Sequence, residues 1–191
     1  MINLAVMASH EGSSLQTVID YLALKANQCR LALVISNNRK SRALARAEKA
    51  NIPTQHISTL THGSRSLADQ AIAKTLIDES IDWLLLLGYM KPVTAPILEA
   101  LPERVINIHP SLLPKFGGKG FYGRFVHQAV LDSGDNVTGA TLHQVSAIYD
   151  RGRVISQKEV PVKRQDEVER LETRVKKAER ALLREFLDTL D

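Results

Sequence analysis

Apolar residues along this chain fall into short continuous runs that alternate with stretches of helical spacing. Residues 2 to 8 read as a buried strand, and Leu15 to Leu24 follows as a helix with apolar residues at 15, 18, 19 and 22. Leu31 to Ser36 predicts a second strand, Ser41 to Ala50 a short helix of good helix formers, and Ile52 to Ile57 a third, short strand. Ser64 to Glu79 predicts another helix. Asp82 to Leu87 is a continuous apolar strand ending at Gly88, and Arg104-Val105-Ile106 begins a further run. A Gly-rich loop and a helix around Phe125 to Leu131 then lead to two extended runs, Gly139 to Val145 and Arg153 to Val162. The turn Tyr149-Asp150-Arg151-Gly152 between them predicts a hairpin-like pair. The last segment, Asp166 to Leu190, has apolar residues at 168, 171, 175, 178, 182 and 186 among many charges, the pattern of one long amphipathic helix packed on the body. Strands apolar on both faces and alternating with helices predict an α/β fold with a doubly wound, mostly parallel mixed sheet and a long C-terminal helix.

Bulk properties narrow the classes. The 191 residues suit one domain with a real core, and the single Cys29 excludes an internal disulfide framework and fits a reducing cytoplasm. The first residues carry no basic leader, so a signal peptide is not expected, and no apolar run approaches membrane-spanning length. Neither H-E-x-x-H nor paired CxxC occurs, so no metal is expected. The net charge of +4 is too small to argue for nucleic acid as a partner. Its distribution is uneven: Arg104 to Gln157 holds six basic residues against three acidic, whereas nine of each follow from Lys158. Such an excess suits a small anionic ligand, and a solvated surface would show it equally.

Chemistry concentrates in Asn107-Ile108-His109-Pro110-Ser111-Leu112-Leu113-Pro114. Asn107 and His109 are two residues apart, so a strand continuing through them sends both side chains from one face. One can hold an oxyanion while the other handles a proton. Pro110 and Pro114 disfavour helical geometry at the residues before them, which places the pair at a strand's C-terminal edge, where open α/β sheets bind ligands. Taken by themselves these residues also admit a turn asparagine and a half-buried histidine. The turn Ser9-His10-Glu11-Gly12-Ser13-Ser14 can offer N–H groups to a phosphate at a helix start, or Ser13 or Ser14 can simply cap that helix. Gly118-Lys119-Gly120-Phe121-Tyr122-Gly123 satisfies G-x-G-x-x-G, but it follows Pro114-Lys115-Phe116 and not the first strand of a βαβ unit. Its glycines read instead as a loop near the substrate or a flexible surface loop.

Together, Asn107 to Pro114, Gly139-Ala140-Thr141-Leu142-His143-Gln144-Val145 and Asp150-Arg151-Gly152-Arg153-Val154-Ile155-Ser156-Gln157 resemble the folate-dependent formyltransferase family in order over nearly the whole chain. The insertion Phe116-Gly117-Gly118-Lys119-Gly120 is similar to one branch of it. The resemblance implies a single Rossmann-like formyltransferase domain over residues 1 to 191, with residues 1 to 100 binding phosphate and residues 101 to 191 carrying catalysis and folate binding. It implies transfer of a formyl group from 10-formyltetrahydrofolate, as co-substrate, to the amine of glycinamide ribonucleotide in purine synthesis. Asn107, His109 and Asp150 match the catalytic trio. Gly12, Ser13 and Ser14 match a phosphate loop, Arg65 a further phosphate contact, and Glu179 a contact to the substrate ribose. Tyr89, Met90, Lys91, Pro92 and Val93 match the segment that cradles the pterin.

The expected partners are therefore a phosphorylated amine and a folate, without metal, membrane or nucleic acid, in a cytoplasmic monomer or homodimer. Some residues depart from the family pattern. His10-Glu11 stands where Gly-Asn is common, Ser14 replaces an Asn, and Pro92 lacks an N–H. These changes leave open another small amine, such as an amino sugar, as acceptor. Formyltetrahydrofolate hydrolysis and a non-catalytic folate or nucleotide binder are the remaining readings.

Overall fold

Uninterrupted apolar runs become the central strands, because a strand covered on both faces needs apolar side chains in both directions. Ile2–Met7 (β1) and Trp83–Leu86 (β4) pair in parallel, with Leu4 to Met7 fully buried and Leu84 and Leu85 fully buried beside them. Each such leucine contributes about 1.5–3 kcal/mol by leaving water. The computed structural model describes residues 1–24 and 28–190. Between β1 and β4 lie the helix Ser13–Leu24 (α1), the strand Cys29–Ser36 (β2), the helix Arg42–Lys49 (α2), the strand Thr54–His56 (β3), and the helices Thr59–His62 (α3) and Arg65–Asp78 (α4). After β4 come Ala95–Ala100 (α5), Val105–His109 (β5), Arg124–Ser133 (α6), Val137–Gln144 (β6), Val154–Pro161 (β7) and Val168–Asp188 (α7).

The seven described strands form one sheet in the order β3-β2-β1-β4-β5-β6-β7. β1 pairs in parallel with β2 and β4, and β2 with β3, while β6 and β7 run antiparallel. The sheet is thus the mostly parallel, mixed one predicted. The final amphipathic segment forms a single helix, with Leu171, Val175, Leu182 and Leu183 buried. Two short helices, α3 and α5, fall outside the predicted elements. Each has six residues or fewer, too short to show a hydrophobic period, and α5 starts on a proline in its first turn.

The chain resolves into two compact units: Met1–Ile106 with the end of the chain from Leu187, and Asn107–Phe186. In the first, the order of β2, β1 and β4 places the reversal of winding between β1 and β4, the point where such sheets bind ligands. The second begins at Asn107. Among the described residues no helix is long and apolar enough to cross a membrane.

Candidate active site

β5 ends at His109, so Asn107 and His109 do leave one face of one strand, as their spacing predicts. The stretch that follows is held by β6 and β7. Thr141 on β6 accepts from the Leu113 N–H at 3.0 Å and donates to the Ser111 carbonyl at 2.6 Å, while Gln157 on β7 donates to the Leu113 carbonyl at 3.0 Å. The buried Ser111 hydroxyl gives its proton to the Lys115 carbonyl at 2.6 Å, a structural use that leaves it no part as a nucleophile.

Asp150 does not merely close its turn. It lies in the left-handed region at φ 52° and puts its carboxylate between two imidazoles, Oδ2 at 3.7 Å from His109 Nδ1 and Oδ1 at 3.6 Å from His143 Nε2. Hydrogen bonds assign both rings. His109 Nε2 donates to the Phe116 carbonyl at 2.7 Å, which leaves Nδ1 as the nitrogen facing Asp150. Burial pushes the His143 imidazole below its ordinary value of 6.5, against opposing pulls from the Gln144 carbonyl and Asp150. The neutral ring donates from Nδ1 to the Gln144 carbonyl at 2.8 Å, so its Nε2 accepts from Asn107 Nδ2 at 3.0 Å. That contact fixes which end of the Asn107 amide is which. One amide proton goes to His143, and the other is free to meet a developing oxyanion.

His143 joins the candidate site through Asn107 and Asp150, and the sequence does not single it out outside the formyltransferase motif. Its signal is a polar side chain two residues after Thr141 on the same strand, with both buried. Because it acts through Asn107, His143→Ala is expected to lower turnover by up to about a hundredfold, the penalty of a misplaced catalytic group. The folate dissociation constant should stay within a few-fold. Equal losses in turnover and folate affinity would argue for a general packing defect.

The first unit holds the other candidate segments. α1 begins at Ser13, and its first hydrogen bond runs from the Gln16 N–H to the Gly12 carbonyl at 2.9 Å, so Gly12 occupies the capping position. Ser13 and Ser14 lie within the first turn, which corrects the capping alternative. Glycine brings no capping side chain, so this helix start is suited to receive an anion on its first N–H groups. Gly12 has φ 66°, and a Cβ there would meet Ala43 Cα at 2.8 Å, so only glycine lets this loop lie against α2. Glu11, the added negative charge, pairs with Arg42 at 3.0 Å.

At the reversal between β1 and β4 the two loops are joined. Ser9 donates from its N–H to the Gly88 carbonyl at 3.1 Å and accepts the Met90 N–H on its hydroxyl at 2.9 Å. Burial, with Asp69 reinforcing it, pushes the Tyr89 phenol up to about 12, so Tyr89 remains a neutral donor. Arg65 lies beside this segment. It donates to the Pro92 carbonyl and, from Nε, to the buried Asp69 at 3.3 Å, and Asp69 also accepts from Thr94 at 2.7 Å. Asp69 is a second group missed in the sequence, signalled only by a charge on the core side of α4. In the second unit Glu179 is half-buried on α7, and burial pushes its carboxyl up to about 7, with Glu172 adding to the rise and Lys176 and Arg180 opposing it.

Comparison with known proteins bears on this geometry. The formyl transferase family model matches residues 2–187. Phosphoribosylglycinamide formyltransferase of Haemophilus influenzae is 34% identical over 179 residues, covering 94% of this chain and 82% of that protein. The trifunctional purine biosynthetic protein adenosine-3 of Bos taurus is 41% identical over 175 residues, 92% of this chain. The chain spans only 17% of the length of that trifunctional relative. The crystal structure of glycinamide ribonucleotide transformylase 1 from Geobacillus kaustophilus superposes with a TM-score of 0.92 at 32% identity, covering all of this chain and 98% of that one. A match from residue 2 to residue 187 means that this chain belongs to the formyl transferase family.

Proposed function

We propose that this protein transfers the formyl group of 10-formyltetrahydrofolate to the amine of glycinamide ribonucleotide. The observation that carries this reading is the Asn107, His109 and Asp150 arrangement, with an amide proton and an imidazole Nδ1 on the same strand face and a carboxylate within 3.7 Å of that nitrogen. The names of the Haemophilus relative and the Geobacillus structure support this acceptor and, through the family, the folate donor.

Attack of the amine on the formyl carbon forms one C–N bond, and loss of the folate nitrogen breaks the other. Oxyanion charge builds on the formyl oxygen between these events. Asn107 donates its free amide proton to that oxygen, and His109, as imidazolium, donates from Nδ1. Asp150 accepts the proton that the attacking ammonium loses and passes it through water to the departing nitrogen. No covalent enzyme intermediate is needed.

The N–H groups at Gly12, Ser13 and Ser14 take the ribonucleotide phosphate, and Arg65 is a further phosphate contact held by Asp69 and the Pro92 carbonyl. The pairing of Glu11 with Arg42 offsets the charge that would otherwise oppose the anion. Residues 89 to 93 take the pterin. Glu179 accepts from the ribose hydroxyls, which gives a pH signature. With its carboxyl titrating at about 7, the better acceptor, the carboxylate, forms as pH rises through that value. Glu179→Gln should therefore raise the ribonucleotide KM more at pH 8 than at pH 6. A ratio of variant to wild-type KM that did not change with pH would remove Glu179 from this role.

The test of the activity is spectrophotometric, following deformylated folate from a 10-formyl donor with and without glycinamide ribonucleotide. Release that requires the ribonucleotide is the expected result. Release without any amine would make the protein a hydrolase, release with a different amine would change the acceptor, and no release with any amine would make it a binding protein.

A further inference from the structure

We propose that the Gly-rich connection at Phe116-Gly117-Gly118 is a clamp that positions His109 and Asp150 relative to one another; the proposal rests on the catalytic reading above. The connection runs into the one sequence motif, the G-x-G-x-x-G that begins at Gly118, that neither the fold nor the phosphate site accounts for. Three consecutive residues touch both members of the couple. The Phe116 carbonyl takes the His109 Nε2 proton at 2.7 Å, and two residues later the Gly118 N–H donates to Asp150 Oδ2 at 2.8 Å. That oxygen is the one that faces His109 Nδ1 at 3.7 Å. The clamp thus sets the tautomer of the imidazole from one side and selects the carboxylate oxygen presented to it from the other.

Backbone conformation and packing agree with this role. Phe116 and Asp150 both occupy the left-handed region, at φ 53° and 52°, which non-glycine residues keep only where their surroundings impose it. Here Ser111 holds the Lys115 carbonyl at 2.6 Å, and the Phe116 ring meets Phe121 edge to face with centroids 6.2 Å apart. Between the two contacts, Gly117 passes so close to its neighbours that a Cβ would lie 2.4 Å from Leu113 Cδ2 and 3.2 Å from Asp150 Cβ. A side chain at 117 must displace the Leu113 side chain or the segment itself, and it presses directly on Asp150 Cβ. Gly117 and Gly118 act through His109 and Asp150 and are positioning residues.

Gly117→Ala tests the proposal. Turnover is expected to fall about ten- to a hundredfold, as for a misplaced catalytic group, while the KM of both substrates changes by less than about threefold. In the Asp150→Asn background the same substitution should cost less than about threefold, because the carboxylate it positions is already gone; a merely structural defect would multiply through in full. A readout independent of turnover is nitrogen NMR of the His109 ring, where the Nε2–H held by the Phe116 carbonyl should lose its protection from exchange in Gly117→Ala. If Gly117→Ala does not fold, Leu113→Ala combined with Gly117→Ala relieves the clash at Leu113 and leaves the 3.2 Å approach to Asp150 Cβ, so a smaller loss in the same direction is expected in each readout. Wild-type turnover, full multiplication in the double variant, or an unchanged ring N–H would each overturn the clamp. Loss of ring protection in a protein that transfers no formyl group to any amine would instead overturn the catalytic reading and leave the clamp standing.

Discussion

His109→Ala is expected to lower kcat by about a hundredfold to ten-thousandfold, the range for losing a positioned proton-transfer group, which corresponds to about 2.7–5.4 kcal/mol of transition-state stabilisation. The reason lies in the ring's two commitments. Nε2 is tied to the Phe116 carbonyl at 2.7 Å, so the whole chemical capacity of the imidazole is concentrated at Nδ1, which shares its surroundings with Asp150. Water admitted by the alanine can carry a proton but cannot be held in that place, and the oxyanion loses a charged donor. Folate affinity should change little, since the interaction is made mainly in the transition state. The measurement is single-turnover formyl transfer with the folate dissociation constant determined in parallel, and added imidazole should restore part of the rate. Near-wild-type turnover would remove His109 from the mechanism. A drop in folate affinity equal to the drop in rate would reassign it to binding.

Asn107→Ala should cost about a hundredfold to a thousandfold in kcat, the penalty for losing one oxyanion donor. The isosteric Asn107→Asp should be at least as damaging. A carboxylate there offers no proton to the oxyanion and sets an acceptor against the lone pair of His143 Nε2, the atom that now accepts from Asn107 at 3.0 Å. Neutral His143, held so by burial, cannot donate from Nε2 without first giving up or supplementing its Nδ1 bond to the Gln144 carbonyl. The pair of variants therefore separates two roles. If Asn107 served only to fill space, aspartate would restore what alanine removes, and kcat for the two would differ widely in favour of Asp.

Much of this arrangement was legible in the sequence because it depends on local rules. Period-two spacing puts Asn107 and His109 on one face whatever surrounds them. The prolines at 110 and 114 disfavour helix at the residues before them, and the apolar runs at 2 to 8 and 82 to 87 read as buried strands. Short helices such as Ala95–Ala100 were not legible, because one and a half turns hold too few positions to show a period. The loop proposed for phosphate was half legible: glycine and serines marked a helix start, but choosing between a serine cap and a glycine one required knowing that the first helical residue is Ser13 and that Ala43 presses on Gly12. For Arg65 the motif suggested an anion contact, while the Pro92 carbonyl and Asp69 that hold its guanidinium are 27 and 4 residues away along the chain.

By itself, then, the sequence determined the main elements, the mostly parallel character of their sheet and the residues able to do acyl-transfer chemistry, since side-chain period, backbone restriction and chemical type are properties of neighbours in the chain. Only the tertiary structure decided how those residues are used. His143 meets Asn107 from 36 positions away, and Gly118 meets Asp150 from 32. Which nitrogen of His109 faces the carboxylate, which end of Asn107 points outward and which groups lose their water are set by atoms brought together from distant segments. Hydrogen bonds and desolvation act over a few ångströms of space, not over intervals of sequence.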